Sequence, residues 1–541
     1  VKSILLLTAA LAALSGPGLA LAQTAPSKAV SPDRLDQGRP APRPTPRAAR
    51  PRRVRPAAPA IQPFVLTAVT VEGSTLTQAQ LDAALQPFIG RTLDQAGLQA
   101  LSDAVADAQE AADIALYTVL VPSQDFAGGQ LRVVVVQGFV SQVVFAGDGG
   151  RPLGLATAYG QKIVDDKPLR RSVLQRQLSL MRDIPGLQPD VELQPGNDQG
   201  AVDLTVKSRF RPFQLAVGIN TRGTAFLGRT QVQVDGFANS LWRSGDQARL
   251  SLAAPTDTER FQFVGAGYST PLGADGLTLR LDATWLKTRP KGTSIEGRAG
   301  SLGVQLTYPI VRSFDRDIYA SVGVDGLNSD NAFLGLALSS DRIRAVRGSL
   351  AFNASGTDSL VFASLSASQG IDGLGARVAD RRISRPDFRK LNLKAGYNQG
   401  LGKTLIVRFA AAGQYASDPL PPSEQFSLGG EEFGRGYEAD FVVGDRGYAG
   451  SVELAWRPAN PPPAFEGSEA YLFTDGGSAR YRSRLGLPSQ SFDLASAGGG
   501  VRLLVRRRTL LQVEAVRGLS NPIPGRDRES WRGVVALRTV F

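Results

Sequence analysis

From residue 210 to residue 541 the chain alternates apolar and polar side chains, interrupted by little except turn residues, and that period of two constrains the fold more than any other property. In 277–286, Leu277, Leu279, Leu281, Ala283 and Trp285 share one parity, while Thr278, Arg280, Asp282 and Thr284 share the other. The same texture recurs at 231–236, 248–254, 302–308, 406–412, 451–456 and 511–516. Strands send successive side chains to opposite faces, so a long series of such runs describes a sheet with one apolar and one polar side. A transmembrane barrel with a lipid-facing exterior and a polar lumen fits this pattern. A large soluble sandwich or propeller also alternates, but the unbroken length of the series and the leader-like N-terminus favour the barrel. After the first residues no stretch offers eighteen unbroken apolar residues, so a passage through a bilayer must use strands. At about 20 residues per strand with its connection, this region holds roughly sixteen strands.

Upstream the period changes. Residues 64–137 read as strand 65–71, helices 78–88 and 93–111, and strands 114–121 and 130–136. Residues 138–208 repeat the order: strand 139–145, a short helix near 153–160, a helix over 168–182, then strands 188–193 and 201–207. Both units are small α+β domains with exposed sheet edges. The organisation therefore expected is a pair of such domains followed by an antiparallel barrel over 209–541.

The N-terminus has the three parts of a secretory signal over 1–22: Lys2, an apolar stretch over 4–14, and Ala20-Leu21-Ala22 before Gln23. Residues 23–63 are a linker rich in Pro, Ala and Arg, with the composition of an extended spacer. Of the net charge of +12, residues 1–60 hold eight, as ten Lys/Arg against Asp33 and Asp36. The basic balance thus belongs to a tail. With no nucleic-acid-binding motif beside it, no nucleic-acid partner is expected.

The chain has no cysteine and no histidine. Disulfides, cysteine or histidine metal sites and histidine-based acid–base catalysis are thereby excluded. No convincing pair of catalytic carboxylates remains, so neither an enzyme, a cofactor nor a metal is expected. There is also no G-x-x-x-x-G-K-[ST] run for a nucleotide.

Two charged residues stand out within glycine-rich cassettes. Arg435 lies in Phe433-Gly434-Arg435-Gly436-Tyr437, downstream of Ser423-Glu424-Gln425-Phe426-Ser427-Leu428-Gly429-Gly430. Asp475 lies in Phe473-Thr474-Asp475-Gly476-Gly477, within an alternating run. Flanking glycines allow tight turning and close approach, which suits a loop tip in a confined space with a carboxylate as its partner. An ordinary exposed turn is the plain alternative for Gly-Arg-Gly-Tyr alone.

Four local patterns in chain order carry a resemblance. They are Pro122-Ser123-Gln124-Asp125 with Gly129 and the valine strand to Gly138; 178–187 with Asp183, Pro185 and Gly186, followed by Pro195-Gly196 and Asp203-Leu204; the Arg435 cassette with Leu428, Gly429, Gly430 and Tyr437; and Phe473 to Gly477. Together they resemble the transporter component of two-partner secretion systems, within the superfamily that joins periplasmic POTRA domains to an outer-membrane barrel. Terminal Phe541, on an amphipathic strand with Trp531, Val535 and Leu537, resembles the outer-membrane assembly signal, with Thr539 where an apolar residue is usual. The resemblance implies POTRA domains at 64–137 and 138–208, a sixteen-stranded barrel, and a loop 413–448 folded into the lumen with Arg435 bidentate to Asp475. It further implies outer-membrane lipid and the barrel assembly machinery as partners. A large secreted exoprotein would be the cargo, bound by POTRA domains in the periplasm and exported unfolded. Gly434 departs from the β-branched residue usual there. Residues 23–38, with Pro26 and Pro32, give little support to the plug helix common in the family. Other readings are a barrel assembly or insertion factor, with more POTRA domains than 64–208 can hold, and a passive porin.

Overall fold

The computed structural model describes residues 61–541 except 127, 148–152, 335 and 522–530. The secretory signal expected at 1–22 and the expected linker up to residue 60 lie outside the described residues.

The first unit holds β1 (Phe64–Val65), β2 (Ala68–Glu72), α1 (Gln78–Leu85), β3 (Thr92–Leu93), α2 (Gln95–Ala111), β4 (Tyr117–Leu120) and β5 (Gln130–Gln137). The strand expected at 65–71 is two strands: β1 leaves the sheet to pair with β3, and β2 runs parallel to β5. Thr77 and Gln80 close a capping box at the start of α1, and Asp94 accepts from the Gly97 amide at 2.8 Å at the start of α2. Leu81, Leu98, Leu101 and Val105 then meet Leu131, Val133 and Val135 of the sheet in a closed core.

The second unit repeats the plan with β6 (Phe139–Ala146), α3 (Leu153–Val164), α4 (Arg171–Asp183), β7 (Leu187–Pro195) and β8 (Ala201–Phe210). Its strand order is β6-β8-β7, which leaves β7 on an edge. The helix expected from Pro168 begins at Arg171, because Arg170 is extended and the Leu169 amide is bonded to the Gly138 carbonyl at 3.0 Å. Met181, Leu178 and Tyr159 pack on Val140, Leu204 and Val206 to form the core.

Only Arg211 and Pro212 separate β8 from the first wall strand, Phe213–Asn220, so the barrel begins slightly later than residue 209. Sixteen antiparallel strands close on themselves, the last, Arg532–Val540, pairing with the first. That seam has a ladder of only five residue pairs, Ala536 with Asn220 through Val540 with Ala216. Elsewhere ladders are longer; Arg316–Phe333 and its neighbour Leu336–Ser355 pair along nearly their full length. Leu302, Leu472 and Trp285 project outward and are exposed, while Ser301, Asp475 and Thr284 of the opposite parity face the lumen. This alternation is the one the sequence displays, now closed so that no wall strand has a free edge. No helix of the described residues is long and apolar enough to cross a membrane.

Helix α4 docks the second unit onto the turns at one barrel end. Asp183 takes both Nε and Nη2 of Arg312 at 2.7 Å, a bidentate pair. Arg176 reaches the carbonyls of Pro309 and Asp275 at 2.9 Å, and Ser179 reaches that of Ser313 at 3.2 Å. From α3, Lys162 pairs with Asp275, and the Leu155 amide donates to Ser244 Oγ at 2.9 Å.

Candidate functional site: a loop held inside the barrel

Wall strand Leu405–Ala416 runs up to the end remote from the two α/β units, and the next strand, Arg446–Trp456, returns. The 417–445 segment between them turns into the lumen, so it is somewhat shorter than the expected 413–448. Inside it a small hairpin pairs Phe426–Leu428 with Val442–Gly444. Leu428, Phe433, Tyr437 and Phe441 bury themselves against Ala449, Ala479 and Leu494 of the wall.

The tip brings Arg435 to Asp475, but not as the bidentate pair expected. Asp475 faces the lumen and is 4% exposed. Its oxygens accept the backbone amides of Gly434 at 3.0 Å and Arg435 at 3.3 Å, and the hydroxyl of Ser496. The carboxylate therefore holds the loop's main chain. The guanidinium lies 3.7 Å from Asp475 through Nε, and its Nη1 lies 3.3 Å from Glu453 and 3.5 Å from Glu514. It also stacks 4.1 Å above the Phe473 ring. One cation is thus shared by three carboxylates and an aromatic face.

Gly434 explains its own departure from the family pattern. Its φ is +74°, and a Cβ there would stand 2.6 Å from Leu494 Cδ1, so a β-branched residue would be strained and crowded. At Gly436 a Cβ would come within 2.7 Å of the Gly518 amide, so the tip touches the wall backbone directly. Tyr437 is buried, its hydroxyl 2.6 Å from the Ser520 carbonyl and its own carbonyl accepting Arg532 Nη1 at 2.6 Å. Gly429 and Gly430 both take φ of +105° where the hairpin leaves Leu428. Gly477 lies against the neighbouring strand, where a Cβ would be 2.3 Å from the Tyr448 carbonyl.

The root of the loop is held by a second cluster that the sequence reading did not find. Glu424, 2% exposed, receives Arg347 Nη2 at 2.7 Å and Nη1 at 3.0 Å, and pairs with the fully buried Lys390 at 2.8 Å. Arg347 is held in turn by Asp325 at 2.5 and 3.1 Å. Asp445, where the loop rejoins the wall, accepts the amides of Leu420 and Arg482, both at 2.8 Å, and pairs with Arg484. Below the tip, Glu453 and Glu469 are interleaved with Arg408 and Arg502 at 2.6 to 2.8 Å. The only sequence signal for Glu453 and Glu514 is a lone acidic residue of inward parity in an otherwise uncharged run.

The remaining sequence-derived residues support the α/β units. Gln124 exchanges two side-chain bonds with the Arg132 backbone at 2.8 Å, capping the sheet after Pro122. Gly129 has φ of +67° and accepts the Thr67 amide at 2.7 Å. Pro185 and Gly186 form the turn between α4 and β7, with the Gly186 carbonyl accepting the Arg211 amide at 2.9 Å. Asp203 accepts from Ser141 and from Gln142 at 2.8 Å, bonds that hold its carboxyl below the ordinary aspartate range. Phe541 follows the last wall strand, its amide bonded to the Leu215 carbonyl at 2.8 Å and its ring exposed.

Comparison with known proteins places this geometry. The family model described as haemolysin secretion/activation protein ShlB/FhaC/HecB matches residues 198–503, and the model described as POTRA domain, ShlB-type, matches residues 64–138. The outer membrane transporter CdiB of Escherichia coli O6:K15:H31 (strain 536 / UPEC) is 26% identical over 439 residues, covering 73% of this chain and 69% of that protein. CdiB of Dickeya dadantii (strain 3937) is 25% identical over 411 residues, covering 72% and 70%. Among solved structures, CdiB from Escherichia coli superposes with a TM-score of 0.73 at 19% identity, over 90% of this chain and 93% of that one. CdiB from Acinetobacter baumannii gives 0.67 at 15% identity, over 97% and 98%. These two likenesses bear on the fold.

Proposed function

The chain belongs to the haemolysin secretion/activation family, the outer-membrane transporters of two-partner secretion, and on that premise we propose that it exports one large secreted protein through its barrel. The barrel lies in the bacterial outer membrane with the POTRA end in the periplasm. The second α/β unit, by its repeated strand and helix order, is read as a second POTRA domain. The cargo is a large exoprotein whose extended N-terminal segment adds a strand to a POTRA edge, main-chain hydrogen bonds supplying affinity and side-chain pockets specificity. It then passes unfolded through the lumen, driven by its own folding outside, since the chain has no nucleotide-binding motif. Lipid contacts the outward side chains, and the barrel assembly machinery reads the terminal strand ending at Phe541.

The observation that carries this reading is the lumen loop. A transporter of one polymer needs an occluded resting channel, and the 417–445 segment is tied into the lumen at both root and tip. The Arg435 tip serves as a latch that positions it. Deleting this chain should remove one large protein from the culture medium while other outer-membrane barrels remain assembled. A variant lacking 64–208 should insert yet export nothing. Normal export by that variant would overturn the docking role.

A further inference from the structure

The outward face of the barrel changes character near its outer end. On one strand after another, the next large side chain beyond the outward apolar ones is basic. Lys287 follows Trp285, Arg298 lies beyond Leu302, Arg344 beyond Val346, Arg389 beyond Leu391 and Arg446 beyond Tyr448. At the periplasmic end, Arg316 is the only outward Lys or Arg within the wall strands among the described residues. The other basic residues there face the lumen or lie in turns, as Lys403 and Arg506 do. Basic side chains at the edge of a hydrocarbon layer reach to the level of the headgroups and are drawn to anionic ones.

One part of this belt is also a cavity. A groove of about 410 Å³ opens on the outer face across strands Leu336–Ser355, Ser359–Gly370, Arg389–Leu401 and Leu405–Ala416. Gly348 and Ala367, cross-strand partners with little side chain, form its floor, and Val346, Leu391 and Tyr415 stand around them. Arg389, in the next outward row, stands at the rim, exposed, and its guanidinium has no partner among the described residues. Arg446 stacks 4.2 Å above the Tyr415 ring and gives its Nε to the Ala416 carbonyl at 2.8 Å, which leaves its Nη groups for another acceptor. The nearby carboxylates are engaged: Asp387 forks with Arg385 at 2.6 and 2.9 Å, and Asp418 accepts the Ser417 hydroxyl at 2.7 Å.

We propose that this groove binds one phosphate-bearing glycolipid of the outer leaflet, an acyl chain lying on Gly348 and Ala367 and a phosphate held by Arg389 and Arg446. The inference rests on the barrel's place in the outer membrane and not on what the barrel carries. An apolar floor alone would take any acyl chain, and a basic rim alone any anion. Together they select a lipid with a phosphorylated headgroup, for which guanidinium forks are the matching donors. The site also lies over the root of the lumen segment, on the outside of the wall. Tyr415 and Ala416 lead into 417–445, Arg446 follows it, and the Arg389 carbonyl accepts the Ser417 amide at 3.3 Å. Lys390, next to Arg389, faces inward to Glu424 at 2.8 Å. The bound lipid thus buttresses the strands that carry the root.

The test uses the purified full chain in detergent, stripped of lipid, with bisphosphorylated lipid A as the probe and native mass spectrometry as the readout. Lipid A should be retained where its dephosphorylated form and phosphatidylglycerol are not. Equal retention of phosphatidylglycerol would overturn the assignment to the outer leaflet, and equal retention of the dephosphorylated form would overturn the phosphate contact. Arg389→Gln should weaken binding about tenfold, the loss of one charge-assisted bond. Gly348→Leu fills the floor and should weaken it as well; a Cβ there stands 4.0 Å from the Ser321 carbonyl, so the strand accommodates it. Arg316→Gln, at the opposite end of the same face, should change nothing. Full binding by both R389Q and G348L would reject the groove, whatever becomes of export. Hydrogen exchange at 414–417 should slow when lipid A is bound; an unchanged rate would remove the buttress from the proposal.

Discussion

The root and the tip of the lumen loop are both pinned by buried charge, yet they are built differently. At the root, Glu424 faces Arg347 in a two-bond fork at 2.7 and 3.0 Å with Lys390 at 2.8 Å, so each charge is matched at short range. At the tip, Arg435 has no carboxylate oxygen nearer than 3.3 Å, and its Nε has no hydrogen-bond partner. Matched, short, desolvated pairs are costly to break. A cation shared among Glu453, Asp475 and Glu514 can shift between them at little cost, because each move keeps it near a carboxylate. The root is thus a fixed anchor and the tip an exchangeable one. Asp475 spans the two descriptions: its grip on the Gly434 and Arg435 amides is firm even where its pairing with the guanidinium is loose.

Substitutions can break this contrast. The largest effect is expected from Glu424→Ala, which leaves Arg347 and Lys390 buried with less compensation. A loss of about 3–5 kcal/mol in loop seating is expected, read as faster hydrogen exchange across 417–445. Asp475→Ala ranks next, at about 1–3 kcal/mol in all, since the Gly434 and Arg435 amides lose their acceptor while the Ser496 hydroxyl is free to turn. It should exceed Arg435→Ala, because Arg408 and Arg502 remain to neutralise Glu453. A larger effect for Arg435→Ala in the same exchange experiment would show that the guanidinium, not the main chain, holds the tip. Tyr437→Phe should be smallest, about 0.5–1.5 kcal/mol for the hydroxyl's bond to the Ser520 carbonyl. Its exchange effect should stay confined to the tip; spread to the root would mean that the two anchors act as one.

The barrel was legible because its signal is local: parity along each strand reports which side chains meet lipid, and the remaining length bounds the strand number. Both α/β units were legible through helical periodicity, although the splitting of β1 from β2 was not, because pairing with Thr92–Leu93 is a tertiary choice. At the site, glycine chemistry exposed Arg435 and Asp475. The partners of Glu424 were hidden: Arg347 lies 77 residues away and Lys390 34 away, on different strands. Which inward residues share a height in the lumen depends on the barrel's stagger, and no sequence window contains that. The expected bidentate geometry failed for a related reason, since the neighbouring Glu453 and Glu514 compete for the same cation.

The Asp183–Arg312 fork and the contacts of Arg176 with the barrel turns have a kinetic consequence. They hold the second unit against the mouth, so under the docking proposed above a segment caught on its edge would be tethered beside the entrance. Entry then becomes an intramolecular step, with an effective concentration of the order of millimolar. On that proposal, secretion would proceed when the cargo is far scarcer than that in the periplasm. A modest docking affinity would then be sufficient, and it would let the cargo's leading segment be released once the rest has gone through.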